Sequence, residues 1–260
     1  MPATLNYQVS QSDPNFPWTV LIHGLFGDAD NLANLRRHLR DSHNIISIDL
    51  PDHGHSPWLE QFSLSHAVTG VKQVLDESEV ETASLVGHSL GGKVAMLFAL
   101  KHSERVDKLI AADIAPASYA RSHDGVFAGL NSVNLSQITG RKDADTAMAE
   151  HINEPGVRQF LLKGLYRNDQ GEWQWRFNIA GLQQNYEAII GWPEDMDATF
   201  DGDVLFVKGG KSDYLTREHR PQIARYFPNA RARIIEGTGH WLHAEKPQAF
   251  NAIVEKHLNP

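Results

Sequence analysis

Short apolar and β-branched runs alternate along this chain with amphipathic stretches, and this alternation constrains the fold more than any other sequence feature. Helical spacing of apolar residues follows several of the runs, at 32–39, at 67–75 and, after Pro247, at 250–258. Strands that alternate with helices predict an α/β fold, with a mostly parallel twisted sheet covered by helices on both faces. Six runs are predicted as buried strands: WTVLI (18–22), NIISI (44–48), ASLV (83–86), KLIAA (108–112), VLFV (204–207) and ARIIE (232–236).

The alternation stops between Ala112 and Val204. About ninety residues pass there without a convincing buried strand, far more than a crossover helix and its loops need. Helices are predicted at 144–151 and 156–166. We expect a helical cap, residues 115–199, inserted into an α/β core of residues 1–114 and 200–260. Most aromatic residues of the interval are expected to pack the cap's own core: Phe127, Phe160, Tyr166, Trp173, Trp175, Phe177, Tyr186 and Trp192.

Length and composition favour one domain that spans no membrane. A chain of 260 residues can bury about three quarters of its unfolded surface, and no apolar run approaches the ~20 residues of a membrane span. Residues 1–15 lack the basic and apolar regions of a secretory signal, so the cytoplasm is the expected compartment. The net charge of −8 argues against a nucleic-acid partner. The absence of cysteine excludes a cysteine nucleophile and a thiolate metal site.

Ser89 lies at the centre of LVGHSLGG (85–92), which matches the pattern G-x-S-x-G. The segment follows a predicted strand and precedes the helical stretch GKVAMLFALKH (92–102). In that context the pattern indicates a nucleophile on a tight strand-to-helix turn, where Gly87 and Gly91 allow close packing and a strained backbone lifts the serine Oγ clear of the sheet. The alternative, an ordinary serine at a strand-to-helix junction, fits the five-residue pattern but not its context.

A serine hydroxyl needs a base, and the order serine, acid, histidine in this architecture places that base late in the chain. The segment EGTGHWLHAEKP (236–247) offers His240 and His243 between the last predicted strand and the final helix. Glycines at 237 and 239 let the loop fold back toward the serine, which favours His240.

Two backbone N–H groups are expected to bind the developing oxyanion. The first belongs to Leu90, at the start of the helix that follows the serine. The second comes from the loop HGLFG (23–27), where Gly24 permits close approach. Leu25 or Phe26 supplies this N–H, and Leu25 is preferred.

Five segments together resemble the α/β-hydrolase superfamily, and most closely the small YbfF-type esterases: HGLFGDADNL, IDLPDHGHSP, GHSLGGKVAM, DIAP and GHWLHAEKP. They occur in matching order over nearly the whole chain. The resemblance implies an eight-stranded or slightly smaller sheet, a helical lid, and hydrolysis of ester or thioester bonds without a cofactor. By position it assigns the nucleophile to Ser89, the base to His240 and the oxyanion donors to Leu25 and Leu90.

The acid has two candidates. In most of the superfamily it follows a late strand, where GGKSDY (209–214) holds Asp213. In YbfF-type relatives that place need not hold a carboxylate, and the aspartate of DIAP, here Asp113, is typical. Only one of the two can bond Nδ1 of His240 in a given geometry. Asp113 is preferred, and Asp213 is the rival.

Two weaker patterns concern metals and substrate. His53 and His55 beside Asp52 have a spacing that some metal sites use, but no third ligand lies in a matching context, so no metal is expected. Basic residues of the cap could attract the phosphate of a leaving group such as coenzyme A, although a solvated helical face is the preferred explanation. These residues are Arg121, Arg141, Lys142, Arg158, Lys163, Arg167 and Arg176.

The sequence therefore predicts a serine carboxylic-ester hydrolase that acts on small to medium acyl esters through an acyl-enzyme intermediate. An acyl-CoA thioesterase would use the same residues, and a non-catalytic ligand-binding protein is the third possibility. A serine at 89 excludes the carboxylate nucleophile of epoxide hydrolases and haloalkane dehalogenases. Neither the natural substrate nor the oligomeric state follows from the sequence.

Overall fold

The computed structural model describes residues 4–193 and 196–259. Its strands are β1 (Tyr7–Ser10), β2 (Trp18–Ile22), β3 (Asn44–Ile48), β4 (Ala83–His88), β5 (Val106–Ala112), β6 (Leu165–Arg167), β7 (Trp173–Trp175), β8 (Asp203–Gly209) and β9 (Arg231–Ile235). Its helices are α1 (Ala33–Leu39), α2 (Leu64–Glu77), α3 (Leu90–Lys101), α4 (Asp124–Ser132), α5 (Arg141–Met148), α6 (Pro155–Leu161), α7 (Ile179–Gln184), α8 (Tyr186–Ile190), α9 (Arg220–Tyr226), α10 (Leu242–Glu245) and α11 (Pro247–Leu258).

Seven strands form one sheet in the order β1-β3-β2-β4-β5-β8-β9. β1 runs antiparallel to β3, and every other neighbouring pair is parallel. Every residue of β3 and β4 is buried, as expected of strands covered on both faces. All six predicted strands are present, with ends that differ from the predicted ones by at most two residues. The α/β fold with a mostly parallel sheet is confirmed.

Helices cover both faces of this sheet, and alternate residues of one strand face opposite layers. Leu21 of β2 and Val86 of β4 pack in a layer with α1 and α11, whereas Val20 and Leu85 pack in the layer of α2 and α3. Helix α3 is buried along its whole length except at Lys101. Ser89, the residue before it, is therefore held at the start of a buried helix.

Three strands were not predicted. β1 is a four-residue edge strand whose inner residues are exposed, so it lacks the apolar run that marked the others. β6 and β7 form a short antiparallel hairpin around Gly171, which has φ 80°. The predicted helix 156–166 was too long, because α6 ends at Leu161 and the chain enters β6 at Leu165.

The interval between β5 and β8 holds α4 to α8 and the β6–β7 hairpin. The aromatic residues Phe127 and Tyr186 meet edge to face with ring centroids 5.3 Å apart, and Trp175 stacks on Phe177. All four are buried, so they pack this segment. Its assignment as a cap of residues 115–199 stays a prediction. Across the helices of residues 4–193 and 196–259, none has the length and apolar character needed to cross a bilayer.

Glycines at the β4–α3 turn leave no room for a side chain. A Cβ on Gly91 would lie 2.2 Å from the carbonyl oxygen of Ile22, and a Cβ on Gly87 would lie 2.2 Å from the carbonyl oxygen of Gly91. These are backbone atoms of neighbouring elements, which cannot move aside as a flexible side chain can. The turn is therefore fixed by close packing of main chain on main chain.

We expect Gly91→Ala to lower the free energy of unfolding by roughly 3 kcal/mol, because β2 or α3 must shift to relieve the contact. Gly156→Ala is the matched control, since Gly156 is also the second residue of a helix but has nothing within 4 Å of its Cβ position. That control should be neutral or slightly stabilising. Urea unfolding followed by circular dichroism measures both, and equal midpoints for the two variants would contradict the packing argument.

Candidate active site

Ser89 occupies the sharp turn between β4 and α3. Its backbone has φ 54° and ψ −118°, a conformation that non-glycine residues rarely adopt. Its N–H donates to the carbonyl of Ala112 at the end of β5, 3.0 Å away. The turn thus lies at the carboxyl edge of the sheet, where functional residues of parallel sheets gather.

Three predicted residues from separate segments meet at this edge. The Oγ of Ser89 lies 3.0 Å from Nε2 of His240, which belongs to the loop between β9 and α10. Nδ1 of His240 lies 2.7 Å from Oδ2 of Asp113, which directly follows β5. The rival acid, Asp213, has an exposed side chain and is not the partner of Nδ1.

Asp113 is completely buried and also has positive φ, 52°. Its Oδ1 accepts a hydrogen bond from the N–H of Gly209 at 2.9 Å, and its Oδ2 accepts a second one from the hydroxyl of Ser212. Hydrogen bonds of this kind stabilise the ionised carboxylate. The sequence did not indicate a role for Ser212, because the neighbouring Asp213 is the residue type that the superfamily pattern favours.

Contacts to its ring and to its main chain hold His240 in place. Tyr214 stacks on it, with ring centroids 3.9 Å apart and an angle of 20° between the planes. The hydroxyl of Tyr119 donates to the carbonyl of Tyr214 and accepts from the N–H of Ala115. Nε2 of His88 donates to the main-chain carbonyl of His240 at 2.9 Å. No sequence signal marked Tyr214 or Tyr119, because both contacts depend on how distant loops meet.

One hydrogen bond decides whether Leu25 or Phe26 is the better candidate for the oxyanion donor of this loop. The N–H of Phe26 donates to Nε2 of His53 at 3.0 Å, so this amide is already used. Among the hydrogen bonds of residues 4–193 and 196–259, none takes the N–H of Leu25. Leu90 is the first residue of α3, and the N–H groups of a first helical turn have no partner within the helix.

The histidines of IDLPDHGHSP have partners within the protein. Nδ1 of His53 donates to the carbonyl of Pro51, and burial lowers the pKa of His53 to about 3. Nε2 of His55 accepts from Arg176. Within the part of the chain that the structure describes, no three histidine, aspartate or glutamate side chains are grouped closely enough to hold a metal ion.

Lys93 is a buried lysine one turn of α3 beyond Ser89. It is only 2% exposed, and its Nζ donates to the carbonyls of Ile190 and Gly191 at the end of α8. The same Nζ lies 4.8 Å from the centre of the Tyr119 ring. Burial lowers the pKa of Lys93 to about 7. Its contacts tie the β5–β8 segment to the helix that carries the serine.

A cavity of about 220 Å³ opens at Ser89 and His240. Most of its lining area is apolar, and part of the apolar lining comes from the segment between β5 and β8 and from the base loop: Val126, Ile152, Val157, Phe160, Leu161 and Trp241. Polar side chains also line it, namely His23, Asn31, His88, Ser122, His123, Glu154 and His243. The rings of Phe160 and Trp241 lie 5.8 Å apart at one side. The cavity can therefore enclose an apolar group of substantial size beside the serine.

Several basic residues between β5 and β8 form ion pairs or other contacts with neighbouring residues. Arg121 pairs with Asp124 and Glu187, both at 2.7 Å, and Arg158 pairs with Asp145 at 2.9 Å. Three more contact carbonyls or rings of nearby residues: Arg141, Arg167 and Arg176. These contacts favour a structural role over a phosphate-binding one.

Comparisons with known proteins agree with the fold and with the resemblance. A family model described as the Alpha/beta hydrolase family matches residues 19–253. Esterase YbfF of Escherichia coli (strain K12) is 40% identical over 260 residues, which cover 100% of both chains. The sn-1-specific diacylglycerol lipase ABHD11 of Mus musculus is 33% identical over 265 residues, covering 99% of this chain and 86% of the lipase.

A solved structure described as a marine microorganism esterase superposes with a TM-score of 0.93 at 32% identity, covering 98% of this chain and 99% of that one. The similarity to YbfF-type esterases is thus confirmed over the full length. Because the family model matches most of the chain, and these relatives exceed 30% identity, the protein belongs to the alpha/beta hydrolase family.

Proposed function

We propose that the protein is a serine carboxylic-ester hydrolase that forms an acyl-enzyme intermediate on Ser89. Its family and its esterase and lipase relatives make it an enzyme that cleaves ester bonds. The proposal adds the mechanism and the residues. One observation carries it: the continuous hydrogen-bonded line from the Oγ of Ser89 through His240 to Asp113, at 3.0 and 2.7 Å.

Acylation begins with attack of the Ser89 Oγ on the acyl carbon while Nε2 of His240 accepts the hydroxyl proton. In this proposal the N–H groups of Leu25 and Leu90 donate to the oxyanion of the tetrahedral intermediate. Nε2 of His240 then returns the proton to the leaving alcohol oxygen. The acyl group remains bonded to Ser89.

Deacylation repeats these steps with water. Nε2 of His240 removes a proton from the water molecule as its oxygen attacks the acyl carbon, and the proton then returns to the Oγ of Ser89. Asp113 keeps the His240 ring in the tautomer whose Nε2 accepts, because Nδ1–H donates to its buried carboxylate. Side chains and backbone amides supply every group that the reaction requires, so we propose no cofactor.

The proposed substrates are small-molecule esters with small to medium acyl groups. The largely apolar walls of the large cavity support an uncharged ester. An acyl-CoA thioesterase would use the same atoms, but the contacts of the basic residues with their neighbours do not favour it. A ligand-binding role without catalysis would not require the hydrogen bond between Ser89 and His240.

Hydrolysis of short-chain p-nitrophenyl esters tests the proposal. Ser89→Ala should lower kcat/KM for p-nitrophenyl acetate by at least ~10³-fold, because the nucleophile is lost while the oxyanion donors remain. Ser84→Ala, on the same strand, is the control for effects on folding and should retain activity. Equal rates for wild type and Ser89→Ala would remove the proposed mechanism.

A further inference from the structure

Two cavities meet at Ser89. The large cavity described above has a volume of about 220 Å³, and a second cavity that Ser89 also lines has a volume of about 40 Å³. Four residues line both cavities, namely Leu25, Ser89, Ser122 and His123. The attacking oxygen therefore lies at the junction of a large and a small compartment. An ester bound there has to divide its two halves between them.

Buried side chains form much of the wall of the small cavity. Leu90 and Ile114 line it from the core and Ile189 lines it from α8, and each of them is only 3% exposed. Lys93 forms part of its wall and is fixed by two main-chain carbonyls. Because one water-sized group needs about 10–15 Å³ by the same measure of volume, the space admits roughly three such groups. An acetyl, propionyl or butyryl chain fits within this volume, and we expect a longer chain to extend beyond it.

The position of His240 distinguishes the two compartments. The large cavity is lined by His240 and Trp241, whereas the small cavity is lined by Tyr214, whose ring covers one face of the His240 imidazole. The leaving oxygen must lie within reach of Nε2 of His240, since this atom protonates it. The alcohol half therefore extends into the large cavity. The acyl half remains beside Leu90, which lines only the small one.

From this division we propose that the enzyme selects esters of a short acyl group with a long apolar alcohol. The inference rests on the proposed function and names its substrate class. The small cavity limits the acyl chain to about four carbons, and the walls Leu90, Ile114 and Ile189 set this limit. The apolar large cavity contributes binding energy for each methylene of the alcohol chain.

Two isomeric esters test this directly. Hexyl acetate and ethyl hexanoate have the same atoms and nearly the same hydrophobicity, but the long chain is on the alcohol in one and on the acyl group in the other. We expect kcat/KM to be at least ~10-fold higher for hexyl acetate, as measured by pH-stat titration, because a hexanoyl chain exceeds the small cavity.

The possible failures are distinguishable. If wild-type enzyme hydrolyses both esters but ethyl hexanoate at an equal or higher rate, the assignment of the two cavities is overturned while the proposed function stands. If it hydrolyses neither ester and no p-nitrophenyl acetate, the proposed function itself fails.

A matched pair of variants locates the selectivity. Ile189 and Ile152 are both 3% exposed residues of the segment between β5 and β8, but Ile189 lines the small cavity and Ile152 the large one. Ile189→Ala should raise the rate for ethyl hexanoate relative to hexyl acetate by about fivefold or more, whereas Ile152→Ala should not. Ile114→Val opens the small cavity from the core side with a smaller loss of packing. Equal shifts in all three variants would contradict the assignment.

Discussion

Replacing Asp113 with asparagine should lower kcat/KM for p-nitrophenyl acetate by about 10⁴-fold, whereas Asp213→Asn should stay within about twofold of wild type. Asparagine keeps the size of the side chain but removes the negative charge that holds Nδ1–H of His240. The wrong tautomer of the ring then faces Ser89, so Nε2 no longer accepts the proton. Asp213 is exposed and does not contact Nδ1.

Steady-state kinetics on the two variants side by side provide the measurement. Circular dichroism and thermal unfolding establish that Asp113→Asn is folded, which matters because Gly209 and Ser212 also bond this buried carboxylate. Near-wild-type turnover in Asp113→Asn together with a loss of several orders in Asp213→Asn would reverse the assignment of the acid.

The free energy of unfolding should fall steeply as the pH drops from 6.5 toward 4.5. Four histidines at and around the serine have pKa values that burial lowers, to about 3 for two of them. In the unfolded chain they titrate near 6.5. Below that pH the unfolded state binds protons that the native state does not, so stability is present above 6.5 and is lost as the pH falls. The four are His23, His53, His88 and His243.

The expected loss of unfolding free energy between pH 6.5 and 4.5 is large. Each histidine whose pKa is lowered to about 3 costs roughly 2–3 kcal/mol of stability at pH 4.5, so His53 and His243 together remove about 5 kcal/mol, a large part of the ~5–15 kcal/mol of an ordinary domain. His23 and His88 change the stability in the same direction. Chemical unfolding at a series of pH values measures how the free energy of unfolding changes with pH. His243→Leu should recover about 2 kcal/mol of this loss, since His243 is buried and its Nδ1 has no hydrogen-bond partner among the described residues.

His66→Leu is the control for that comparison, because His66 is exposed at the start of α2. It should leave the slope between pH 6.5 and 4.5 unchanged. An unfolding free energy that is the same at pH 7.5 and pH 4.5 would contradict the burial of neutral histidines.

The sheet was predictable because its central strands are buried on both faces and therefore appear as continuous apolar runs. The serine turn was predictable for a different reason, since Gly87 and Gly91 are required by backbone contacts that no other residue tolerates. The edge strand β1 and the β6–β7 hairpin were missed. Their residues are partly exposed and too few for periodicity to emerge.

The choice of acid and the choice of loop donor could not be made from the sequence, because both depend on contacts between distant loops. Asp113 and Asp213 both suit the chemistry, and their different surroundings depend on how the ends of β5 and β8 meet, in register Ala112 with Val207. The bond from Phe26 to His53 joins two loops that are 27 residues apart. No local pattern could have distinguished Leu25 from Phe26 without that contact.

Labelling with a fluorophosphonate, followed by intact-mass and peptide analysis, tests most directly whether Ser89 is a nucleophile activated by His240. One label on the peptide that contains Ser89 is predicted, with a labelling rate that falls by about 10³-fold or more in His240→Gln. A label on another residue, or an unchanged rate in His240→Gln, would contradict it.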